Sequence, residues 1–119
     1  MEDILHLPLR TEWYNLIESG TKIEEYREIK PYWIKRLCTK ETISKLNVDS
    51  VSNDRKALMT LYGMNIFRFK DYNKVKFSYG YTKKTMTFEI INISIGKGKE
   101  EWGAMDDLLF IIRLGNRVD

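Results

Sequence analysis

Residues 84–95, KTMTFEIINISI, place Met86, Phe88 and Ile90 on one face of an extended strand and then slip phase to Ile91, Ile93 and Ile95. A strand alternates its faces with a period of two, so the slip requires a β-bulge or a sharp coil between Ile90 and Ile91. A bulge of this kind bends a sheet back on itself, the device that closes small barrels. Other segments supply partners for such a strand. Val75, Phe77 and Tyr79 alternate with lysines and serine, and Gly80-Tyr81-Thr82 forms the turn into the long strand. Leu108 to Leu114 is nearly all apolar, the pattern of a strand buried on both faces. At the other end DILHLPL (residues 3–9) aligns Leu5, Leu7 and Leu9, and Pro8 restricts that strand to a sheet edge or a strand end.

Helical signals lie between these segments. Thr11 offers an N-cap oxygen, Glu12 sits in the first turn, and Trp13, Leu16 and Ile17 follow at helical spacing until Gly20 closes the helix. Residues 22–29 return to a period of two. Pro31 fits the first position of a short helix with Ile34, Leu37 and Cys38 facing inward. Residues 39–53 are polar and rich in turn formers, which predicts a surface loop or insertion. A further short helix is expected from Asp54 to Tyr62, ended by Gly63. The fold class predicted is α+β: a small β-barrel with short helices packed at its ends, one domain over residues 1–119, with a polar loop or insertion at about 39–64.

Composition limits the function classes. The chain has 119 residues, 43% hydrophobic and 13% aromatic, enough for one packed core. The longest apolar run is Leu108–Ile112, too short to span a bilayer, and MEDILHLPLR lacks the regions of a secretory signal. A lone cysteine, Cys38, excludes an internal disulfide, and one histidine with one cysteine are too few for a structural zinc site. Cys38 is read as a small buried hydrophobe and His6 as packed or exposed. The expectation is a small soluble domain of the cytoplasm, without membrane contact, metal or cofactor.

Charge is unevenly spread. Residues 1–60 balance, whereas residues 65–99 carry eight Lys/Arg against Asp71 and Glu89, interleaved with aromatics from Phe67 to Phe88. Lysines suit phosphates and aromatic faces suit unstacked bases, so this segment offers a surface for single-stranded nucleic acid. Strand periodicity alone, with aromatics inward and lysines outward, produces the same interleaving. Gly96-Lys97-Gly98-Lys99 is no Walker A sequence and fits a mobile turn. Glu100, Glu101, Asp106 and Asp107 fit solvated loop ends better than a Mg²⁺ site.

The most informative stretch is GTKIEEYR, residues 20–27. On a strand, Ile23, Glu25, Arg27 and Ile29 share one face, with Lys22, Glu24, Tyr26 and Glu28 on the other. A carboxylate and a guanidinium thus interrupt a face bounded by isoleucines. They form either an ion pair on an edge strand or the lining of a cleft.

The pattern G-x-K-x-x-E-x-R, here Gly20, Lys22, Glu25 and Arg27, resembles the signature of the ASCH domain, in the PUA-like superfamily of small β-barrels. The likeness to the small bacterial and phage members extends over residues 4–33 and returns at Gly80-Tyr81, at Glu101-Trp102-Gly103-Ala104 and at FIIRLG; residues 39–64 match nothing in the family pattern. The resemblance implies a cleft lined by Lys22, Glu25 and Arg27 that takes RNA or a nucleotide-like ligand. Gly20, Thr21, Tyr26, Tyr81, Lys83, Lys84, Glu101 and Trp102 are the further ligand-binding candidates. The family is associated with RNA cleavage and with N4-acetylcytidine deacetylation. The latter uses a threonine three residues after the lysine. Here that position is Glu25, and Thr21 lies on the wrong side of Lys22, so that nucleophile is missing. Two classes of function remain open. One is a binder with possible hydrolysis, using Glu25 as general base and Lys22 and Arg27 to stabilise charge. The other is a non-catalytic interaction protein, such as a phage or mobile-element factor docking on a host ribonucleoprotein.

Overall fold

A computed structural model describes residues 3–119. Five strands form one sheet in the order β1-β3-β4-β5-β2, curled into a half-barrel, with short helices packed against it. The strands are β1 (Ile4–Leu9), β2 (Glu24–Glu28), β3 (Lys74–Tyr79), β4 (Thr85–Gly96) and β5 (Leu109–Arg117). β1 runs parallel to β3, and the remaining pairings are antiparallel. The coil of the sheet arises where the sequence places it. The β4–β5 register shifts between Phe88 and Ile90 and again between Ile90 and Asn92. Beyond the bulge Ile95 is buried, whereas Ile91 is exposed and does not join the core face.

β5 is central because it is apolar on both sides. Phe110, Ile112 and Leu114 enter the main core, while Leu109 and Ile111 pack with Tyr26 and Ala104 in a second, smaller cluster. β1 and β2 are the two edges of the sheet, and Pro8 sits on the first of them, where a missing N–H costs no ladder bond. The main core also takes in Leu5, Leu7, Val75, Phe77 and Met86. Burying these side chains contributes roughly 1.5–3 kcal/mol each.

Helix α1 (Thr11–Glu18) joins β1 to β2, and α2 (Pro31–Leu37) follows β2 with proline in its first turn. Thr11 is not the cap: Arg10 holds the N-cap position without a side-chain bond, and Thr11 is the first helical residue. Gly20 does close α1, at φ 84. The expected loop at 39–53 is instead two helices, α3 (Lys40–Lys45) and α4 (Val48–Asn53). Thr39 and Asn47 cap them by accepting the backbone N–H three residues on, at 3.2 and 3.1 Å. The turn-forming residues there act as caps, and each helix buries one residue, Thr42 or Val51. Asp54 caps α5 (Arg55–Gly63) in the same way. Gly63 is the last helical residue rather than the stop; Asn65, at φ 58, takes the left-handed position beyond it. No helix among the described residues is long and apolar enough to cross a membrane.

Candidate functional site

β2 places Glu25 and Arg27 on the face that looks into the half-barrel, and its position at a sheet edge leaves them open to a cleft. Glu25 is only 4% exposed and Lys22 only 2%. Lys22 precedes the strand, its N–H bound to the Leu16 carbonyl at 3.0 Å, so strand alternation does not govern it. Its Nζ therefore reaches Glu25 Oε1 at 3.0 Å, although strict alternation predicts opposite faces. Arg27 Nη1 donates to Glu25 Oε2 and, at 2.8 Å, to the Tyr26 carbonyl. Glu25 is the shared partner of two cations, one on each carboxylate oxygen. Lys22 and Glu25 are buried and Arg27 is partly so, and two cations against one carboxylate give the triad a net positive charge.

Tryptophan surrounds this triad. Lys22 Nζ donates to the Trp102 carbonyl and lies 5.0 Å from the ring centres of both Trp13 and Tyr26. The Arg27 guanidinium lies 5.1 Å over Trp33, and Lys99 Nζ lies 4.4 Å over Trp102. All three tryptophans of the chain thus stand against a cation. Burial lowers the Lys22 ammonium pKa, and the neighbouring Glu25 offsets part of that shift.

The wall formed by residues 97–104 is fixed by Tyr26. Its hydroxyl donates to Glu24 at 2.8 Å and accepts the Lys99 N–H at 3.0 Å, and burial raises its pKa. Gly98 is required there, since a Cβ would lie 2.5 Å from the Tyr26 ring. The open space beside the triad is a cleft of about 520 Å³. Its polar rim includes Arg10, Glu28 and Lys30, and Trp13, Trp33, Trp102 and Met105 supply apolar surface. The volume is within the range of small-ligand sites.

The other sequence candidates separate into two groups. Tyr26 and Trp102 line the cleft with Lys22, Glu25 and Arg27. Gly20, Thr21, Tyr81, Lys83, Lys84 and Glu101 do not. Gly20 ends α1, and Thr21 accepts a bond from Ser19 at 3.1 Å. Tyr81 is 97% exposed on the β3–β4 turn. Lys84 lies over the Tyr14 and Tyr79 rings and 3.8 Å from Glu18. Within the basic–aromatic segment, Phe77 on β3 and Phe88 on β4 are core residues, so their interleaving with lysines follows from the sheet's two faces, and Phe67 enters the same core from the segment between α5 and β3. Among the further cleft residues that spacing alone does not single out are Arg10, Trp13 and Trp33. Their common signal is position, since each sits within the first turns of a helix flanking the motif. Cys38 is buried, which pushes its thiol pKa up to about 12. Among the described residues no group of three or more His, Cys, Asp or Glu is arranged to hold a metal. No protein-family model, curated protein or solved structure matches the chain.

Proposed function

We propose that the chain is an ASCH-type, PUA-like domain that binds RNA or a nucleotide-derived ligand in the cleft beside Lys22, Glu25 and Arg27. The observation that carries this reading is the gathering of the chain's three tryptophans and several cations around one open cleft. Half-buried indoles offer stacking area to an unstacked base. The positive triad, with Arg10 and Lys30 at the rim, attracts a phosphate. Glu25 acts here as a positioning group, because both of its oxygens accept from cations. Hydrolysis with Glu25 as base requires one of those bonds to open first, so binding is the primary activity in this reading.

Tryptophan fluorescence provides the test, since every indole of the chain lines the cleft. Single-stranded RNA or nucleotides are expected to change the emission saturably, with an affinity that falls as salt rises. An emission unaffected by any RNA or nucleotide, with no binding in an independent assay, rejects the reading and leaves protein docking as the alternative.

A further inference from the structure

A second cavity of about 370 Å³ adjoins the cleft, and the two share Glu28, Lys30 and Met105 as a common wall. One side of this second cavity comes from the 39–64 segment, through Ser52 and Asn53 at the end of α4 and Arg55 at the start of α5. That segment is pinned to the loop that leads into β5. Arg55 Nε and Nη2 donate to the two oxygens of Asp107 at 2.8 and 2.9 Å, and Arg55 Nη1 donates to the Ser52 carbonyl at 2.9 Å. Pro31, Leu108 and Leu109 add apolar lining. A slot that joins apolar surface to polar groups has the make-up of a ligand subsite.

We infer that this cavity is a second nucleotide subsite, so that the ligand of the cleft is an RNA strand of at least two nucleotides. The inference rests on the function proposed above and names its ligand class. The base of one nucleotide occupies the tryptophan-lined cleft, and the next enters the slot beside Leu108. Asn53 stands at the slot with its Nδ2 donated to the Asp49 carbonyl at 2.9 Å, which leaves Oδ1 to accept from a base edge. The linking phosphate crosses the shared wall at Lys30. That ammonium pairs with Glu28 at 2.7 Å, and both side chains are largely exposed. Exposed pairs are weak, so a phosphate replaces Glu28 at little cost. The helical segment without a counterpart in the family pattern thereby acquires a role, extending a one-nucleotide cleft into a two-nucleotide groove.

The experiment compares binding of nucleoside monophosphates with random-sequence RNA pools of two, four and eight nucleotides, for the wild type and for Asn53→Ala. The expected result is an affinity at least tenfold higher for the two-nucleotide pool than for monophosphates, with a smaller gain at greater length. Asn53→Ala, an exposed position, is expected to weaken binding of the two-nucleotide pool about fivefold and leave monophosphate binding unchanged. Binding first detectable at two nucleotides, and weakened by the same substitution, supports the inference equally. Monophosphate binding with no gain at two nucleotides overturns the inference and leaves the proposed function standing. So does an Asn53→Ala variant that binds every length as the wild type does. Absence of binding at all lengths overturns both.

Discussion

Arg27 ties the two edges of the curled sheet together by donating from Nη2 to the Pro8 carbonyl of β1 at 3.3 Å. The same guanidinium holds Glu25 and the Tyr26 carbonyl on β2, so one side chain serves both the opening of the half-barrel and the cleft. Arg27→Ala is therefore expected to act twice. RNA affinity falls about tenfold or more, because a charge-assisted hydrogen bond contributes ~1.5–3 kcal/mol. Stability falls by about 1–3 kcal/mol, since Glu25 keeps Lys22 and is not left wholly unpaired. Arg27→Lys retains a point charge for Glu25 but lacks the fork that also reaches Pro8, so its stability lies between the two. Urea unfolding and fluorescence titration on the same samples separate the effects. Wild-type stability in Arg27→Ala refutes the edge-tying role.

Salt dependence distinguishes the cleft from the β3–β4 turn. Lys30 lies on the cleft rim, whereas Lys83 and Lys84 lie outside it. Lys30→Ala is expected to lower the slope of log affinity against log salt by about one. The double replacement of Lys83 and Lys84 by alanine is expected to leave the slope unchanged. A drop of about two in the double variant returns the binding path to the basic–aromatic segment.

Glu25→Gln tests whether Glu25 positions or reacts. An amide placed between Lys22 and Arg27 keeps one acceptor and turns a donor toward the other cation. The expected cost is about 1–3 kcal/mol, against ~3–5 kcal/mol for Glu25→Ala, which strands two charges. Binding by the folded fraction is unchanged or tighter, because a negative charge beside the anion is gone. Turnover of RNA or of modified nucleosides by the wild type, abolished in Glu25→Gln with binding intact, assigns Glu25 the role of general base instead.

How much of this was legible in the sequence depended on the range of the interactions involved. The slip at Ile90–Ile91, the doubly buried Leu108–Leu114 run and the edge proline are local patterns, and each has its counterpart in the sheet. Glu25 and Arg27 stood out because charge interrupts an apolar face. Helices α3 and α4 escaped because six residues with a single buried side chain carry no usable periodicity. Strand alternation puts Lys22 on the face opposite Glu25, whereas the motif groups the two, and the turn after α1, which alternation ignores, sets the position that brings them together. The grouping of Trp13, Trp33 and Trp102 depends on how α1, α2 and the 97–104 wall meet. That is a tertiary relationship with no local signature.

Gly98→Ala probes the wall that completes the cleft. The added Cβ would approach the Tyr26 ring to 2.5 Å and the Ala104 side chain to 2.8 Å. Tyr26 has no room to yield, being buried and bonded to both Glu24 and the Lys99 N–H. Overpacking of this kind costs about 1–3 kcal/mol. Displacing the wall also moves Trp102, so RNA affinity is expected to fall along with stability. Gly63→Ala, where nothing lies within 4 Å of the new Cβ, is the control and is expected to be neutral or slightly stabilising. Equal stability of the two variants refutes the close packing of Gly98 on Tyr26.

The Asp107–Arg55 pair fastens the α4–α5 segment to the loop that leads into β5, and its pH dependence is defined by Asp107. The Arg55 guanidinium, together with the Leu108 N–H, holds the Asp107 carboxyl down to about 2, below its ordinary 3.8. A depressed carboxyl means that the unfolded chain binds more protons than the folded one as pH falls from 3.8 toward 2. The stabilisation is therefore complete above about pH 4 and is lost progressively as pH falls through that interval. Asp107→Asn is expected to be less stable than the wild type at pH 6, with the difference shrinking to nearly nothing by pH 2. The effect is modest, because both side chains are more than one-third exposed. Urea midpoints of the two proteins between pH 6 and pH 2 provide the measurement, and their difference removes the carboxylates common to both. A difference that stays constant across that range means the Asp107 side chain acts through packing alone, and the ionic fastening of the segment is refuted.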